Sequence, residues 1–253
     1  MNLKIEQGVL NPFTLSPVGA GVNSAQYAVV NIGGLSQRCV VKQVGDREVA
    51  AECFCALLGN ALSLPTLTPV IVTHPSDNGV WFGSRDAAYP SLSARLNIGE
   101  TVNQPQLFAL ALVLSAWAQV GHVISFDELI ANGDRNPGNV LWNGAVFTII
   151  DHERSLGIQP KSSNRLALFA TANFHAPLVG NISGAATGSA MAQQALLSAD
   201  QTVWDMIRTE FQAVPHIVGQ HLEACEAVAR SLLSSLPSHA ANAMSPLLLG
   251  VQP

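Results

Sequence analysis

The segment from Gly133 to Asp151 restricts the fold of this chain more than any other part of the sequence. It begins with the polar loop GDRNPGN, continues through an Asn143-Gly144 pair, and ends with the apolar run FTII directly before Asp151. Asn-Gly is the strongest short-range signal for a two-stranded β-hairpin. The sequence therefore predicts that a hairpin folds the chain back and returns Asp151 to the polar loop.

Three side chains with oxygen atoms would then lie close together, those of Asp134, Asn139 and Asp151. Mg²⁺ prefers oxygen ligands and usually takes one or two protein side chains along with phosphate oxygens and water. Phosphoryl transfer needs such cations on the phosphates and a carboxylate at the attacking hydroxyl. Taken alone, the loop is more typical of an ordinary turn. Asp151 at the end of the returning strand is what favours a phosphate-transferring site.

The segment FDELIANGDRNPGNVLWNGAVFTIIDHE resembles the catalytic segment of the HipA-like kinases and, more distantly, that of the phosphatidylinositol kinases, both of the protein-kinase-like fold. Their pattern is Asp-Arg-His-x-x-Asn, followed by a hairpin and an Ile-Asp pair. The resemblance implies that Asp134 is the catalytic Asp that orients or deprotonates the acceptor hydroxyl. It also implies that Asn139, the second functional residue of the catalytic loop, and Asp151 bind the metal.

Two positions differ from the family pattern. The family His is Asn136 here, and the Phe-Gly that follows the metal-binding Asp in other kinases is His152-Glu153. Asn can hydrogen-bond locally as His does, but it cannot take up a proton. Because the metal-binding set is intact, the pattern favours an active enzyme, while the two differences leave a nucleotide-binding pseudokinase scaffold as an alternative.

A kinase-like small lobe also needs a Lys on a strand for the α- and β-phosphates and a helical Glu that binds this Lys. The apolar strand pattern CVVKQV contains Lys42, and the helical pattern after it contains Glu48 and Glu52. The resemblance of AECFCALLGNALSLPTLTP to the family's Glu-bearing helix favours Glu52 as the partner. Taken alone, Lys42 is more typical of a solvated residue on an edge strand.

Two further segments are candidates for nucleotide contacts. The first is a glycine loop in PVGAGVNSAQYAVV, which consists of Gly19, Gly21, Asn23 and Ser24. It is neither a Walker loop nor a dinucleotide fingerprint, because no Gly-Lys-Ser/Thr and no helix follows it, and a plain β-turn is an equal alternative. The second is the aromatic pair of Trp81 and Phe82, of which Phe82 in particular could line an adenine pocket, although core packing is the commoner role of such side chains.

The order of predicted elements favours an α+β, two-lobed protein-kinase-like fold with the nucleotide between the lobes. Residues 1–85 form the β-rich N-terminal lobe, with a hairpin at Gly33-Gly34, and residues 86–253 form a larger, mainly helical lobe that contains the catalytic loop. Helices are predicted over 46–62, 104–123 and 125–133, and from 196 onward. The stretch 173–194, rich in Gly, Ala and Ser, reads as a mobile loop.

Charge and composition limit the partners of the chain. It has 253 residues, a net charge of −5 and no run of Lys or Arg, which argues against nucleic acid. Only 11% of the residues are charged, so a protein partner or a homo-oligomer is expected besides a protein substrate. The most apolar window, 107–120, is too short to cross a bilayer, and the N-terminal residues lack a signal-peptide pattern. With four cysteines that suit reduced thiols, the sequence predicts a cytoplasmic protein.

The sequence therefore predicts a phosphotransferase that depends on ATP and Mg²⁺ and transfers the γ-phosphoryl group to a hydroxyl. HipA-like kinases phosphorylate Ser or Thr of proteins and often act as bacterial toxins or regulators, so the resemblance implies a protein serine/threonine kinase. A kinase that acts on a small molecule or a lipid headgroup is the alternative among enzymes. The pseudokinase scaffold is the alternative outside them.

Overall fold

The computed structural model describes residues 3–18, 25–76, 79–99, 101–159, 164–172 and 176–248. Its strands are β1 (Glu6–Pro17), β2 (Gln26–Ile32), β3 (Leu35–Lys42), β4 (Pro69–Thr73), β5 (Val80–Arg85), β6 (Val140–Trp142) and β7 (Phe147–Ile149). Its helices are α1 (Asp46–Ala61), α2 (Leu92–Arg95), α3 (Gln104–Ser115), α4 (Val120–Leu129), α5 (Arg165–Thr171), α6 (Ala176–Ala199), α7 (Thr202–Gln212), α8 (His216–Gly219), α9 (Leu222–Leu233) and α10 (Leu236–Leu248), and a 3-10 turn spans Pro137–Asn139. None of the helices in these ranges is by itself both long enough and apolar enough to cross a bilayer.

The chain forms two compact units. The first consists of Met1–Ala88 and Thr202–Glu226, and the second consists of Tyr89–Gln201 and Ala227–Pro253. The first unit contains the five long strands and the second contains most of the helices. The N-terminal region is therefore rich in β-structure and the C-terminal part is mainly helical, as the sequence predicts.

The strands of the first unit close into a barrel in the order β1-β2-β3-β5-β4, in which only β1 and β4 pair in parallel. The predicted hairpin between β2 and β3 is confirmed, because Gly33 and Gly34 have φ angles of +58° and +84°, the region that its tight turn needs. Alternate side chains point inward along each strand. The barrel core consists of Leu10, Ala28, Val30, Ile32, Cys39, Val41, Val70, Val72 and Trp81.

Helix α1 of the first unit is buried along most of its length, and it packs against β4, β5, α7 and α8. The ring of Phe54 lies 6.5 Å from that of Trp204, and the backbone N–H of Ile5 donates to Oε2 of Glu210 at 2.8 Å. Residues 202–226 thus complete the first unit, whereas the sequence division at residue 86 placed them in the second lobe. Their amphipathic pattern requires a covered apolar face but does not specify which unit covers it.

The apolar stretch after Asn103 differs from its prediction as one helix over 104–123. It forms α3 and α4, whose axes differ by 92° across the break. Helix α4 continues through Ser125, which the sequence treats as the start of a second helix. The Ser125 hydroxyl donates instead to Oε1 of Gln193 on α6 at 2.7 Å. Ser125 is therefore an interior residue of α4 with a tertiary hydrogen bond, rather than the first residue of a separate helix.

The prediction of a mobile loop over 173–194 is wrong for residues 176–194, because α6 spans Ala176–Ala199. Helix α6 packs against α4 and α10 in the second unit. A Cβ atom at Gly121 would lie 2.8 Å from the backbone carbonyl carbon of Ala185, so α4 and α6 approach closely at that glycine. Small residues permit this close packing. The composition of the stretch alone does not distinguish such a packed helix from a loop.

Candidate active site

In the first unit, Lys42 and Glu52 form a buried ion pair. Lys42 ends β3, Glu52 lies on α1, and Nζ of Lys42 donates to Oε1 of Glu52 at 3.1 Å. The side chain of Lys42 is 11% exposed and that of Glu52 is 1% exposed. The structure thus brings together the two residues that the sequence pairs, and Lys42 is not the solvated edge residue of the alternative interpretation.

Phe82 lies beside this pair. It is the cross-strand partner of Lys42 in the register of β3 and β5, and such partners point to the same face of a sheet. Trp81 points the other way and belongs to the barrel core. Of the two aromatic residues, only Phe82 therefore shares the face of Lys42. The predicted glycine loop of Gly19, Gly21, Asn23 and Ser24 lies outside the described residues.

In the second unit, hydrogen bonds between loop residues fix the segment GDRNPGN. The side-chain amides of Asn136 and Asn139 both donate to the carbonyl oxygen of Asp134, each at 3.0 Å. Oδ1 of Asn136 accepts from the backbone N–H of Gly138 at 2.8 Å, which caps the 3-10 turn. Asn136 thus has a local hydrogen-bonding role in the loop. Because Nδ2 of Asn139 donates to Asp134, Oδ1 of Asn139 is the side-chain atom that can bind a cation.

The predicted hairpin is confirmed and brings the chain back to Asn139. Strands β6 and β7 pair antiparallel with Val140 opposite Ile149, and the backbone N–H of Ile150 donates to the carbonyl of Asn139 at 3.1 Å. Asp151 follows with a φ angle of +66°. A residue other than Gly adopts this region at a cost, and such residues concentrate at functional sites.

Two cationic side chains contact the carboxylate of Asp134. Arg154 donates from Nη1 to Oδ2 at 3.2 Å, and Arg165 donates from Nη1 to Oδ1 at 3.4 Å. Both arginines are partly exposed, so these are surface contacts of modest strength. No sequence pattern pointed to Arg165, which lies 31 positions from Asp134 and is adjacent to it only in space.

Sequence reasoning also missed a fully buried ion pair beneath the loop. Nη2 of Arg135 donates to Oδ1 of Asp127 at 3.0 Å, and both side chains are at most 1% exposed. The same carboxylate accepts from Nδ2 of Asn132 at 3.1 Å, and Oδ1 of Asn132 accepts from the backbone N–H of Asp134 at 2.9 Å. The available signal was Arg135, which follows Asp134 as in the Asp-Arg-His-x-x-Asn pattern, with an Asp eight positions earlier.

The donor set of the second unit fits a magnesium ion. Asn139 offers a carbonyl oxygen and Asp151 a carboxylate, and hard oxygen ligands of this kind are what Mg²⁺ takes beside phosphate oxygens and water. The loop and the hairpin connect the two residues through the hydrogen bond between Ile150 and Asn139. These two side chains could therefore hold the metal.

No family model matches the chain, and no curated protein matches its sequence. Among solved structures, the crystal structure of the proinflammatory kinase CtkA from Helicobacter pylori is similar over 95% of this chain and 97% of that one, at a TM-score of 0.59 and 14% identity. The chain has a protein-kinase-like fold. A double mutant of the PknI kinase domain from Mycobacterium tuberculosis aligns with 90% of this chain and 94% of that one, at a TM-score of 0.35 and 12% identity.

Proposed function

We propose that the chain is a phosphotransferase that binds ATP with Mg²⁺ and transfers the γ-phosphoryl group to a hydroxyl. The observation that carries this proposal is the hairpin that returns Asp151 to the loop of Asp134 and Asn139. The kinase-like fold supports it, since catalysis in this fold depends on positioned carboxylates and cations rather than on covalent chemistry.

Each residue has one role in this proposal. Asp134 accepts the proton of the acceptor hydroxyl or orients that hydroxyl for attack. Lys42, which Glu52 fixes in place, donates to the α- and β-phosphates. Asn139 and Asp151 hold the Mg²⁺, which neutralises charge on the phosphate oxygens when it is bound. Phe82 and the glycine loop of residues 19–24 are proposed to contact the adenine and the phosphates.

We further propose that the chain is related to the HipA-like kinases and that the acceptor is Ser or Thr of a protein. The resemblance of the loop supports this acceptor over a lipid headgroup, and so does the absence of any basic run in the sequence, which an anionic membrane would attract. The proposed location is the cytoplasm, where ATP is available and the four buried cysteines would stay reduced.

Incubation with γ-labelled ATP, Mg²⁺ and lysate tests the proposal. We expect label in protein bands above that of lysate alone with the wild type, and none above it with Asp151→Ala, while the control Asp205→Ala keeps full activity because Asp205 is an exposed helix residue. If label is found only in small molecules or lipids, one of these is the acceptor and the protein acceptor is refuted. A thermal shift with Mg²⁺ and ATP but no transfer would favour the pseudokinase scaffold, and full activity of Asp151→Ala would refute the assignment.

A further inference from the structure

Arg135 has an unusual position for a charged residue. Its guanidinium is buried, and burial of a charge is costly unless a partner and hydrogen bonds compensate it. Asp127 provides the counter-charge through contacts with Nε and Nη2. Nη1 points elsewhere, to the carbonyl oxygens of Asn139, at 3.4 Å, and of Ile150. The guanidinium thus joins helix α4, the catalytic loop and the strand that leads to Asp151.

The two carbonyl groups belong to the backbone of the proposed metal ligands. The peptide bond is planar, so a fixed carbonyl of Ile150 also fixes the backbone nitrogen and Cα of Asp151. The carbonyl of Asn139 likewise sets the backbone at Asn139. Asp151 needs such support because its φ angle of +66° is unfavourable for a residue with a side chain. The guanidinium of Arg135 therefore holds the backbone from which the side chains of Asn139 and Asp151 extend.

The counter-ion Asp127 is also connected by hydrogen bonds to Asp134, the proposed base. Its Oδ1 accepts from Asn132, and Asn132 in turn accepts from the backbone N–H of Asp134. The pair of Asp127 and Arg135 thus connects, by buried and partly buried hydrogen bonds, to the backbone of all three proposed site residues.

We propose that Arg135 is a positioning residue that sets the backbone geometry of Asn139 and Asp151 and thereby the affinity of the site for Mg²⁺. The metal part of this inference rests on the proposed function. Lys cannot replace Arg here, because one ammonium cannot reach a carboxylate and two carbonyls in the fork geometry of a guanidinium. Partners that orient metal ligands typically change metal affinity by about tenfold to a hundredfold when they are removed.

The test uses the full chain with Arg135→Lys and with the double variant D127N/R135M. The double variant removes both charges, so no unpaired ion is buried, and the amide oxygen that D127N introduces can still accept from Asn132. The matched control is R208M/E226Q, which removes an ion pair of the first unit that joins Arg208 to both oxygens of Glu226 at 2.7 and 2.9 Å. Mn²⁺ dissociation constants in the presence of ATP, hydrogen exchange of residues 132–152 and the melting temperature are measured for each variant.

We expect D127N/R135M and Arg135→Lys to melt cooperatively, to bind Mn²⁺ about tenfold to a hundredfold more weakly, and to exchange faster in 132–152, while the control changes neither quantity. Unchanged Mn²⁺ affinity and exchange in both variants would overturn the inference and leave the proposed function intact. If the wild type binds no Mn²⁺ with ATP, the proposed function and the metal part both fail, and exchange in 132–152 alone decides whether Arg135 positions the loop. If D127N/R135M does not fold, Arg135→Lys decides between these outcomes.

Discussion

Arg154 donates a hydrogen bond from Nη1 to Oδ2 of Asp134 at 3.2 Å. Arg165 donates a hydrogen bond to the other carboxylate oxygen, Oδ1, so each oxygen of Asp134 accepts from one arginine. The proposed base is therefore oriented by two side chains that lie 20 and 31 positions further along the chain. The orientation matters because proton transfer requires a donor and an acceptor within hydrogen-bond reach.

The first prediction concerns the strength of these contacts. Exposed ion pairs contribute at most about 1 kcal/mol, so Arg154→Met and Arg165→Met should each lower kcat by no more than about fivefold. Asp134→Asn should lower kcat by about a hundredfold or more, since it removes the proposed base itself. Steady-state kinetics at low and high salt measure both effects. A loss with Arg154→Met as large as that with Asp134→Asn would show that the arginine has a role in the chemical step.

The second prediction concerns the ion pair of Lys42 and Glu52. Lys42→Met leaves a carboxylate buried beside an apolar side chain, which should lower the free energy of unfolding by about 3 to 5 kcal/mol. The double variant K42M/E52L removes both charges and should recover most of this stability, without recovering ATP binding. Urea denaturation and ATP titration separate the two effects. ATP binding by K42M/E52L at wild-type affinity would contradict the proposed role of Lys42.

The third prediction compares two helical glycines of the second unit. Gly121→Ala should lower the free energy of unfolding by about 1 to 3 kcal/mol, because its Cβ would lie within 3.0 Å of the α6 backbone at Ala185. Gly184→Ala on α6 meets no atom within 4 Å and should raise it by up to about 1 kcal/mol through helix propensity. Equal effects of the two substitutions in urea denaturation would argue against the packing of α4 on α6.

The fourth prediction concerns alkaline pH. Burial raises the pKa of the Cys39 thiol to about 11 and that of Cys225 to about 12, both from an ordinary value of 9.0. The unfolded thiols ionise first, so the stabilising effect is complete below pH 9.0 and is lost as the pH rises to about 11 for Cys39 and about 12 for Cys225.

Urea denaturation at pH 8 and at pH 10.5 measures this effect, with C39A/C225A as the comparison. The wild type should lose more stability between the two pH values than the variant does. Other groups that titrate in this range contribute equally to both chains, so the difference reports the thiols. An identical loss in both chains would show that the two thiols ionise as readily in the folded protein as in the unfolded one.

The local signals in the sequence were sufficient where short-range chemistry decides the structure. Asn143-Gly144 and Gly33-Gly34 specify tight turns by backbone conformation alone, and both hairpins are present. Lys42 and Glu52 are ten positions apart on a strand and the following helix, so their contact also depends on local connectivity. The family resemblance added the roles of the residues, and the structure supports the kinase-like fold.

The remaining features depend on contacts between distant positions. Helix α6 is rich in glycine, which disfavours a helix in isolation, and only packing against α4 and α10 compensates for that. Arg165 lies 31 positions from Asp134, and no periodicity or spacing rule connects them. Asp127 lies in a predicted helix and no pattern marks it as buried, yet it is fully buried beside Arg135 and Asn132. Tertiary partners of this kind leave no pattern in a single sequence.

The return of residues 202–226 to the first unit has a consequence for biosynthesis. A ribosome must make most of the 253 residues before Trp204 and Glu210 can reach their places beside Phe54 and Ile5. Until then the nascent barrel presents the apolar side of α1 to the solvent, a state that favours aggregation or chaperone binding. The first unit can therefore be completed only after residues 202–226 have been made, and a fragment that ends at Ala88 would lack their contacts with Phe54 and Ile5.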